Sequence, residues 1–193
     1  MLPPLADTDI RPALKSRILA DHMGDADTVL LEELGVCRGQ VRIDLAVVNG
    51  LLHGFEIKSD RDSLRRLAAQ ADLYSKVFDR TTLVVGERHL EDALQIIPHW
   101  WGVWRIESTS QGPTFKIVRK GSKNSNLEPR HLVELLWLEP AVALLEERGL
   151  ARGIKGKPRR VVWDRLCAEL CAQEIAVAVR NHLKARAATL SCS

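Results

Sequence analysis

The sequence predicts an α/β protein in which a mixed β-sheet is flanked by helices and followed by an added helical C-terminal region. Strand patterns recur between residues 41 and 119 and are separated by helical patterns, whereas every segment after residue 126 is helical. The 193 residues can bury a sizeable core, and 46% hydrophobic with 27% charged residues is ordinary for a globular protein.

The first part of the chain predicts two helices and a β-hairpin. Residues 8–21 and 27–34 have helical patterns, and a glycine follows the second. Residues 41–48 alternate between the two faces of a strand, Asn49-Gly50 is a strong turn signal, and residues 51–58 form the return strand.

The middle of the chain continues the alternation of helices and strands. In order, the sequence predicts a helix capped by Ser59 or Asp60 and reaching about residue 78, a buried strand over residues 81–86, a helix over residues 89–97, and a second hairpin around residues 110–113.

The strongest linker signal is GSKNSN at residues 121–126. We therefore expect two domains, residues 1–120 and residues 121–193. The second domain is predicted to contain only helices, over residues 129–137, 139–148 and 161–186.

Three ionisable residues of the first hairpin form a candidate site. Glu56 and Lys58 lie two residues apart and share one face of a strand, and Asp44 lies on the neighbouring strand. Two carboxylates can hold Mg²⁺, and a nearby ammonium can orient a water or stabilise charge on a phosphoryl group. The alternative for Lys58 is an edge-strand charge that deters sheet aggregation.

The length of the hairpin loop decides whether these residues meet. A strict two-residue loop places Asp44 opposite Phe55, so that Asp44 and Glu56 occupy opposite faces. A three-residue loop with Val48 opposite Leu52, or one β-bulge, places Asp44 opposite Glu56. A functional site therefore predicts a loop of odd length or a bulge.

In that register, the face shared by the two acids is predicted to be lined by Ala46 and Gly54. Both residues are small and would leave room for ions and a substrate backbone. The reverse face, which includes Ile43, Leu45 and Phe55, is predicted to be core.

At these positions the sequence resembles the PD-(D/E)XK nuclease superfamily, and more narrowly a group of small, mostly uncharacterised bacterial proteins within it. Asp44 matches the first acid of the motif, and Glu56-Ile57-Lys58 matches its E-x-K. Ile43 replaces the proline that usually precedes the first acid. The similarity extends into residues 148–166 and so covers most of the chain.

Two further matches lie outside the hairpin. Gln70 and Tyr74, on the helix that follows, match a Gln/Tyr pattern of several branches of the superfamily. Glu33 matches an additional acid that often completes the metal site, with Glu32 as the alternative. Gln70 could instead be a solvated helix residue.

The resemblance implies a restriction-endonuclease-like αβββαβ core and Mg²⁺-dependent cleavage of DNA or RNA, with Mn²⁺ as a possible substitute. In the implied mechanism the two acids bind the metal ion, the lysine positions the water, and the glutamine orients the lysine or contacts the substrate backbone. The implied catalytic residues are Asp44, Glu56, Lys58 and Gln70.

The resemblance also implies secondary contributors to the site. Glu33 and the Ile57 carbonyl would complete the metal ligands of Asp44 and Glu56, and Tyr74 would contact nucleic acid. Because the superfamily includes members without catalysis, the fold alone does not establish an enzyme.

A basic stretch over residues 148–165 predicts an anionic partner. Lys157, Arg159 and Arg160 lie at the start of a predicted helix, where positive charges oppose the macrodipole. Together with Lys155 they are expected to bind a phosphate backbone. The alternative is a solvated linker between helices.

The leading hypothesis is a Mg²⁺-dependent nuclease that acts on DNA rather than RNA. The alternative is a non-catalytic module that keeps the nuclease fold and binds nucleic acid or a protein. The C-terminal helices would hold nucleic acid, a second copy of the chain or a partner protein. No secretory signal or membrane span is found, so a cytoplasmic location is expected.

Overall fold

The computed structural model describes the backbone of residues 5–191 and the side chains through residue 189. One six-stranded sheet forms the centre of the protein. Its strands are β1 (Val29–Val36), β2 (Val41–Val48), β3 (Leu52–Lys58), β4 (Arg80–Gly86), β5 (Gly102–Thr109) and β6 (Gly112–Arg119).

Seven α-helices accompany the sheet within residues 5–191. Within that part of the chain, none is both long and apolar enough to cross a lipid bilayer. The helices are α1 (Asp7–Asp21), α2 (Leu67–Ser75), α3 (Leu90–Ile96), α4 (Pro129–Val133), α5 (Leu138–Glu147), α6 (Arg159–Glu169) and α7 (Ala172–Ser191).

The strands lie side by side in the order in which they occur along the chain. β1, β2 and β3 pair antiparallel, β3–β4 and β4–β5 pair parallel, and β5–β6 is again antiparallel. The mixed sheet flanked by helices is therefore confirmed. Lys58 lies on β3, an interior strand paired on both sides, so the edge-strand explanation of Lys58 is wrong.

Two hydrophobic clusters hold the helices to the sheet. The smaller cluster joins Ile10, Leu14 and Ile18 of α1 to strand residues such as Phe55. The larger cluster combines α2 and the strands with residues of α4 to α7 as far as Leu183. The C-terminal helices thus pack on the same continuous core as the sheet, while the division into two domains stays a prediction.

The predicted helix over residues 27–34 is wrong, because residues 29–34 belong to β1. A short apolar run fits a buried helix turn and a strand equally well, and pairing with β2 decides between them. Gly35 does not end a helix but lies inside the strand opposite Arg42.

The predicted long helix over residues 161–186 is two helices. Leu170 adopts an extended conformation (φ −115°, ψ 144°) and is buried, which ends α6. Glu174 then accepts a hydrogen bond from the Cys171 backbone N–H at 3.0 Å and so caps the start of α7. This hydrogen bond, between a glutamate side chain and the backbone N–H three residues earlier, is one of the two bonds of a capping box.

The helix predicted from Ser59 or Asp60 begins later and ends earlier. Ser63 accepts from the Arg65 N–H at 3.3 Å and opens a single 3₁₀ turn that leads into α2. Ser59 instead donates from its N–H and hydroxyl to Asp62, at 2.7 Å each, in a turn before that helix.

The first hairpin has the odd loop that a functional site requires. Val48 pairs with Leu52 across a three-residue loop, which confirms the predicted register. Ala46 then pairs with Gly54, but the predicted open space there is wrong. A Cβ atom on Gly54 would lie 3.1 Å from the Phe78 ring, so this face is packed core.

The segment predicted to be a linker is pinned to the core by Asn124. Its side chain is 3% exposed and donates to the carbonyls of Ser75 (2.6 Å) and Phe78 (2.9 Å). Its side-chain oxygen accepts from the Asn126 N–H at 2.8 Å. Residues 121–126 are therefore a fixed crossing between the sheet and the C-terminal helices.

We predict that Asn124→Ala lowers the free energy of unfolding by about 2 kcal/mol, because it leaves buried carbonyls without donors. Urea denaturation measures the change. Asn126→Ala, at an exposed position, is the control and should change stability by less than about 0.5 kcal/mol. Equal effects of the two variants would show that the segment is not pinned in this way.

Candidate active site

A cavity of about 890 Å³ lies among β2, β3, α1, α2 and the turn between β1 and β2. We call it the acid cavity. The charged and amide residues that line it include Asp7, Arg11, Glu33, Arg42, Asp44, Glu56, Lys58, Asp62, Arg66 and Gln70.

Asp44 lies at a break in the alternation of β2. Ile43 and Ala46 both belong to the larger core cluster. In a regular strand, two residues that are three positions apart would lie on opposite faces of the sheet. Ile43 is therefore not on the reverse face that the sequence predicted. At this break the Asp44 Oδ2 atom accepts from the Ile57 backbone N–H at 2.7 Å, which joins β2 to β3.

Glu56 is the centre of a buried hydrogen-bond network. Its Oε1 atom accepts from Lys58 Nζ at 2.5 Å and from Gln70 Nε2 at 2.7 Å. The Tyr74 hydroxyl lies 2.8 Å from both Glu56 Oε2 and the Arg42 carbonyl oxygen. Glu56 is 2% exposed, so its carboxylate is held in one position by these contacts.

Gln70 and Tyr74 both contact the glutamate. Gln70 is bonded to Glu56 and not to Lys58, which corrects the expectation that it orients the lysine, while its contact with a substrate backbone stays a prediction. Tyr74 is fully buried and cannot contact nucleic acid, so its predicted binding function is wrong. Spaced four residues apart on α2, both side chains position Glu56.

Burial dominates the electrostatics of the two acids. It raises the pKa of Asp44, against the opposing effects of the Ile57 N–H and the Arg11 guanidinium. It also raises the pKa of Glu56, where Lys58 opposes the shift and the charge of Asp44 adds to it. The Asp44 charge thus acts unfavourably on the Glu56 carboxylate, and a cation bound near both acids would offset that effect.

Glu33 lies in the cavity wall but on a strand, not on a helix as predicted. It has a φ of +54°, which is unusual for a residue other than glycine, and it stands across from Asp44 where the β1–β2 pairing is interrupted. Its carboxylate is bonded to Arg11 at 2.7 Å and to Arg42. Glu32 is bonded to Lys15 instead, so Glu33 is the acid that lines the cavity.

Arg11 is the site residue that sequence reasoning missed. Its guanidinium lies 2.8 Å from Asp44 Oδ1, 2.7 Å from Glu33 and 3.0 Å from Asp7. The only sequence signal is the i, i+4 spacing of Asp7 and Arg11 on α1, which reveals a helix pair and not a tertiary contact.

The donor set of the cavity fits a hard divalent cation only in part. Within residues 5–191, no three His, Cys, Asp or Glu side chains are arranged to hold a metal ion, and Glu33 is engaged by arginines. Asp44 and Glu56 nevertheless line one cavity, and the buried Gln70 Oε1 atom has no hydrogen-bond partner. Two carboxylates and one free amide oxygen suit Mg²⁺, which keeps several of its waters.

Comparison with known proteins identifies the family. The family model for Bacteriophage P4 protein cII matches residues 6–192. The chain belongs to the phage P4 cII protein family. Protein cII of Enterobacteria phage P4 is 31% identical over 125 residues, which are 65% of this chain and 47% of that protein. The chain thus spans about half the length of this relative of the family.

A solved structure also resembles this cII-family chain. It is the SPO1766 protein of unknown function from Silicibacter pomeroyi, which is 21% identical. The match has a TM-score of 0.41 and covers 74% of this chain and 92% of that one.

The basic residues predicted to bind nucleic acid lie in two settings in this cII-family chain. Lys155 and Lys157 are exposed in the segment before α6 and line neither of the two cavities described here. Arg159 and Arg160 open α6 and line a second cavity, apart from the acid cavity.

Proposed function

We propose that this chain is a metal-dependent nuclease that hydrolyses phosphodiester bonds, with DNA as the preferred substrate. The observation that carries the proposal is that Asp44, Glu56 and Lys58 line one cavity, in the register of a three-residue hairpin loop. The order α1-β1-β2-β3-α2-β4 also agrees with the αβββαβ core that the resemblance to PD-(D/E)XK nucleases implies.

Asp44 and Glu56 would hold the cation, and the free Gln70 Oε1 would add an oxygen ligand. When bound, the cation supplies Lewis-acid polarisation of the phosphoryl group and lowers the pKa of a bound water. Ile57 lines the cavity, and its N–H fixes the Asp44 carboxylate. Glu33 acts through Arg11 and Arg42 in the wall of the site.

Lys58 is the residue that would act on the water or the phosphoryl group in this mechanism. Its ammonium is 2.5 Å from Glu56 Oε1, in a side chain only 8% exposed. With Glu56 holding a cation, Lys58 would orient the attacking water or stabilise charge on the phosphoryl oxygens. The Gln70 amide and the Tyr74 hydroxyl bond to Glu56 and would hold its carboxylate in position for this role.

A plasmid nicking assay with Mg²⁺ or Mn²⁺ tests the proposal. We expect the wild type to nick DNA and Asp44→Asn and Lys58→Met to lose at least about 100-fold in rate, as is typical for groups that stabilise developing charge. Asp21→Asn is the control, because Asp21 pairs with Arg17 on the exposed side of α1. Loss in the control, or retention in both site variants, would contradict the proposal.

The second candidate is a non-catalytic module that binds nucleic acid or a protein. It is favoured by the ion pairs that already neutralise the acids, with Arg11 on Asp44 and Lys58 on Glu56. Nucleic-acid binding without cleavage in either metal would support this candidate.

A further inference from the structure

A second cavity, of about 790 Å³, lies where α4 and α6 meet the turn between β1 and β2. Its lining has four arginines and one glutamate. We call it the arginine pocket, and it is lined chiefly by Arg38, Arg130, Glu134, Arg159, Arg160 and Trp163.

Trp163 fixes two of these guanidinium groups. The guanidinium carbons of Arg130 and Arg159 each lie 5.5 Å from the centre of its ring. The ring itself cannot turn freely, because Trp163 is 5% exposed and its Nε1 donates to the Leu136 carbonyl at 3.2 Å. Two fork-shaped donors are thus arranged before any ligand arrives, which lowers the entropic cost of binding.

The start of α6 adds unsatisfied donors to the same pocket. Pro158 is the N-cap residue and also lines the pocket, and no side chain caps the helix. The first turn has no acidic residue and instead begins with Arg159 and Arg160, whose charges oppose the macrodipole. An anion at this position would stabilise both the free N–H groups and the arginines.

The acids near the pocket neutralise only part of its charge. Asp164 contacts Arg130 at 3.1 Å and Arg160 at 3.9 Å, and its side chain is 56% exposed, so these pairs are weak. Arg38 and Arg159 form no ion pair within the described part of the chain. Four arginines thus face two acids, Glu134 in the lining and Asp164 beside it, and the pocket keeps a surplus of positive charge.

The arginine pocket adjoins the acid cavity through one short turn. Arg38 lines the first, while its neighbours Gly39 and Gln40 line the second. Arg38 has a φ of +58°, a left-handed conformation typical of a tight turn. A polyanionic strand that lies in the acid cavity would pass this turn.

We propose that the arginine pocket binds a phosphate of the nucleic-acid strand, next to the phosphodiester bond held in the acid cavity. The assignment of that neighbouring bond rests on the proposed nuclease function. Recognition of the flanking phosphate does not depend on cleavage, because it uses only arginine side chains and the start of α6. Arg38 and Arg130 thereby join Arg159 and Arg160 as binding residues.

The test is fluorescence anisotropy of a labelled DNA oligonucleotide, in a chelator so that no cleavage occurs. We expect Arg38→Gln and Arg159→Gln each to weaken binding about fivefold and to lower the salt slope by about one. Arg17→Gln is the matched control, since Arg17 is exposed on α1 and remote from both cavities. The same titrations with inorganic phosphate show whether the pocket requires a nucleic-acid strand or binds a free phosphate ion equally well.

The outcomes separate this proposal from the nuclease assignment. Weaker DNA binding in both pocket variants supports the pocket even if the wild type cleaves nothing. Unchanged DNA binding in both variants overturns it, even if the wild type is an active nuclease. A pocket that binds inorganic phosphate as tightly as DNA would also overturn it, because the strand would then add nothing.

Discussion

Glu56→Gln is expected to lower the free energy of unfolding by about 3 kcal/mol, because it removes the carboxylate that pairs with the buried Lys58 ammonium. Both side chains of this pair are nearly inaccessible, 2% exposed for Glu56 and 8% for Lys58. Urea denaturation at neutral pH measures the effect.

A double-mutant cycle isolates the pair. We expect Lys58→Met to be destabilising as well, and the double variant Glu56→Gln/Lys58→Met to be about 2 kcal/mol more stable than the sum of the single changes predicts. The control cycle uses Lys15 and Glu32, an ion pair whose side chains are 36% and 44% exposed, where the coupling should stay below about 1 kcal/mol. Additive effects in the buried cycle would contradict the network described around Glu56.

The sequence allowed good prediction of the elements whose signals are local. The Asn49-Gly50 turn, the β-branched run of β4 and the second hairpin each depend on residues close together in the chain. The register of the first hairpin followed from chemistry, because only an odd loop or a β-bulge places Asp44 opposite Glu56. The fold class followed from the order of these elements.

The errors arose where tertiary contacts decide. Residues 29–36 form a strand because β2 offers a pairing edge, and no local pattern reveals that edge. Gly54 appeared to leave space, but Phe78, which is distant in sequence, fills it. Leu170 ends α6 because its side chain is buried in the shared core.

The sequence predicted the acids and the lysine of the candidate site but not the charged side chains that surround them. Asp44, Glu56 and Lys58 belong to one hairpin, so their spacing revealed them. Arg11 lies 33 residues before Asp44 and reaches it only because α1 packs across the sheet. The chemistry of the site depends on this arginine, which no motif indicated.

Arg11→Gln is expected to make the protein bind Mn²⁺ about tenfold more tightly than the wild type does. The Arg11 guanidinium occupies Asp44 Oδ1 at 2.8 Å and also contacts the Asp44 carbonyl oxygen at 3.1 Å. A divalent cation must displace this charge, or share the carboxylate with it, before it can bind. Removal of the competing guanidinium should therefore strengthen metal binding. A tenfold change in affinity corresponds to about 1.4 kcal/mol.

Thermal unfolding of chelator-treated protein, with and without added Mn²⁺, measures this effect because a ligand stabilises the folded state that binds it. Without metal, Arg11→Gln should unfold at a lower temperature than the wild type, since Asp44 loses a partner that opposes the rise in its pKa. Saturating Mn²⁺ should recover most of that loss in the variant. Arg17→Gln, on the exposed side of the same helix, should respond to Mn²⁺ as the wild type does.

The same experiment distinguishes the two candidate functions. If the protein is a nuclease, Arg11 neutralises the acids only until a cation binds. Its removal should then leave a site that a metal ion can occupy. In a binding module, Arg11 is the permanent counter-charge of Asp44 and Glu33, and its removal leaves carboxylates that do not coordinate a metal ion. A variant that is destabilised and gains no response to Mn²⁺ would therefore argue against the metal site and in favour of the module.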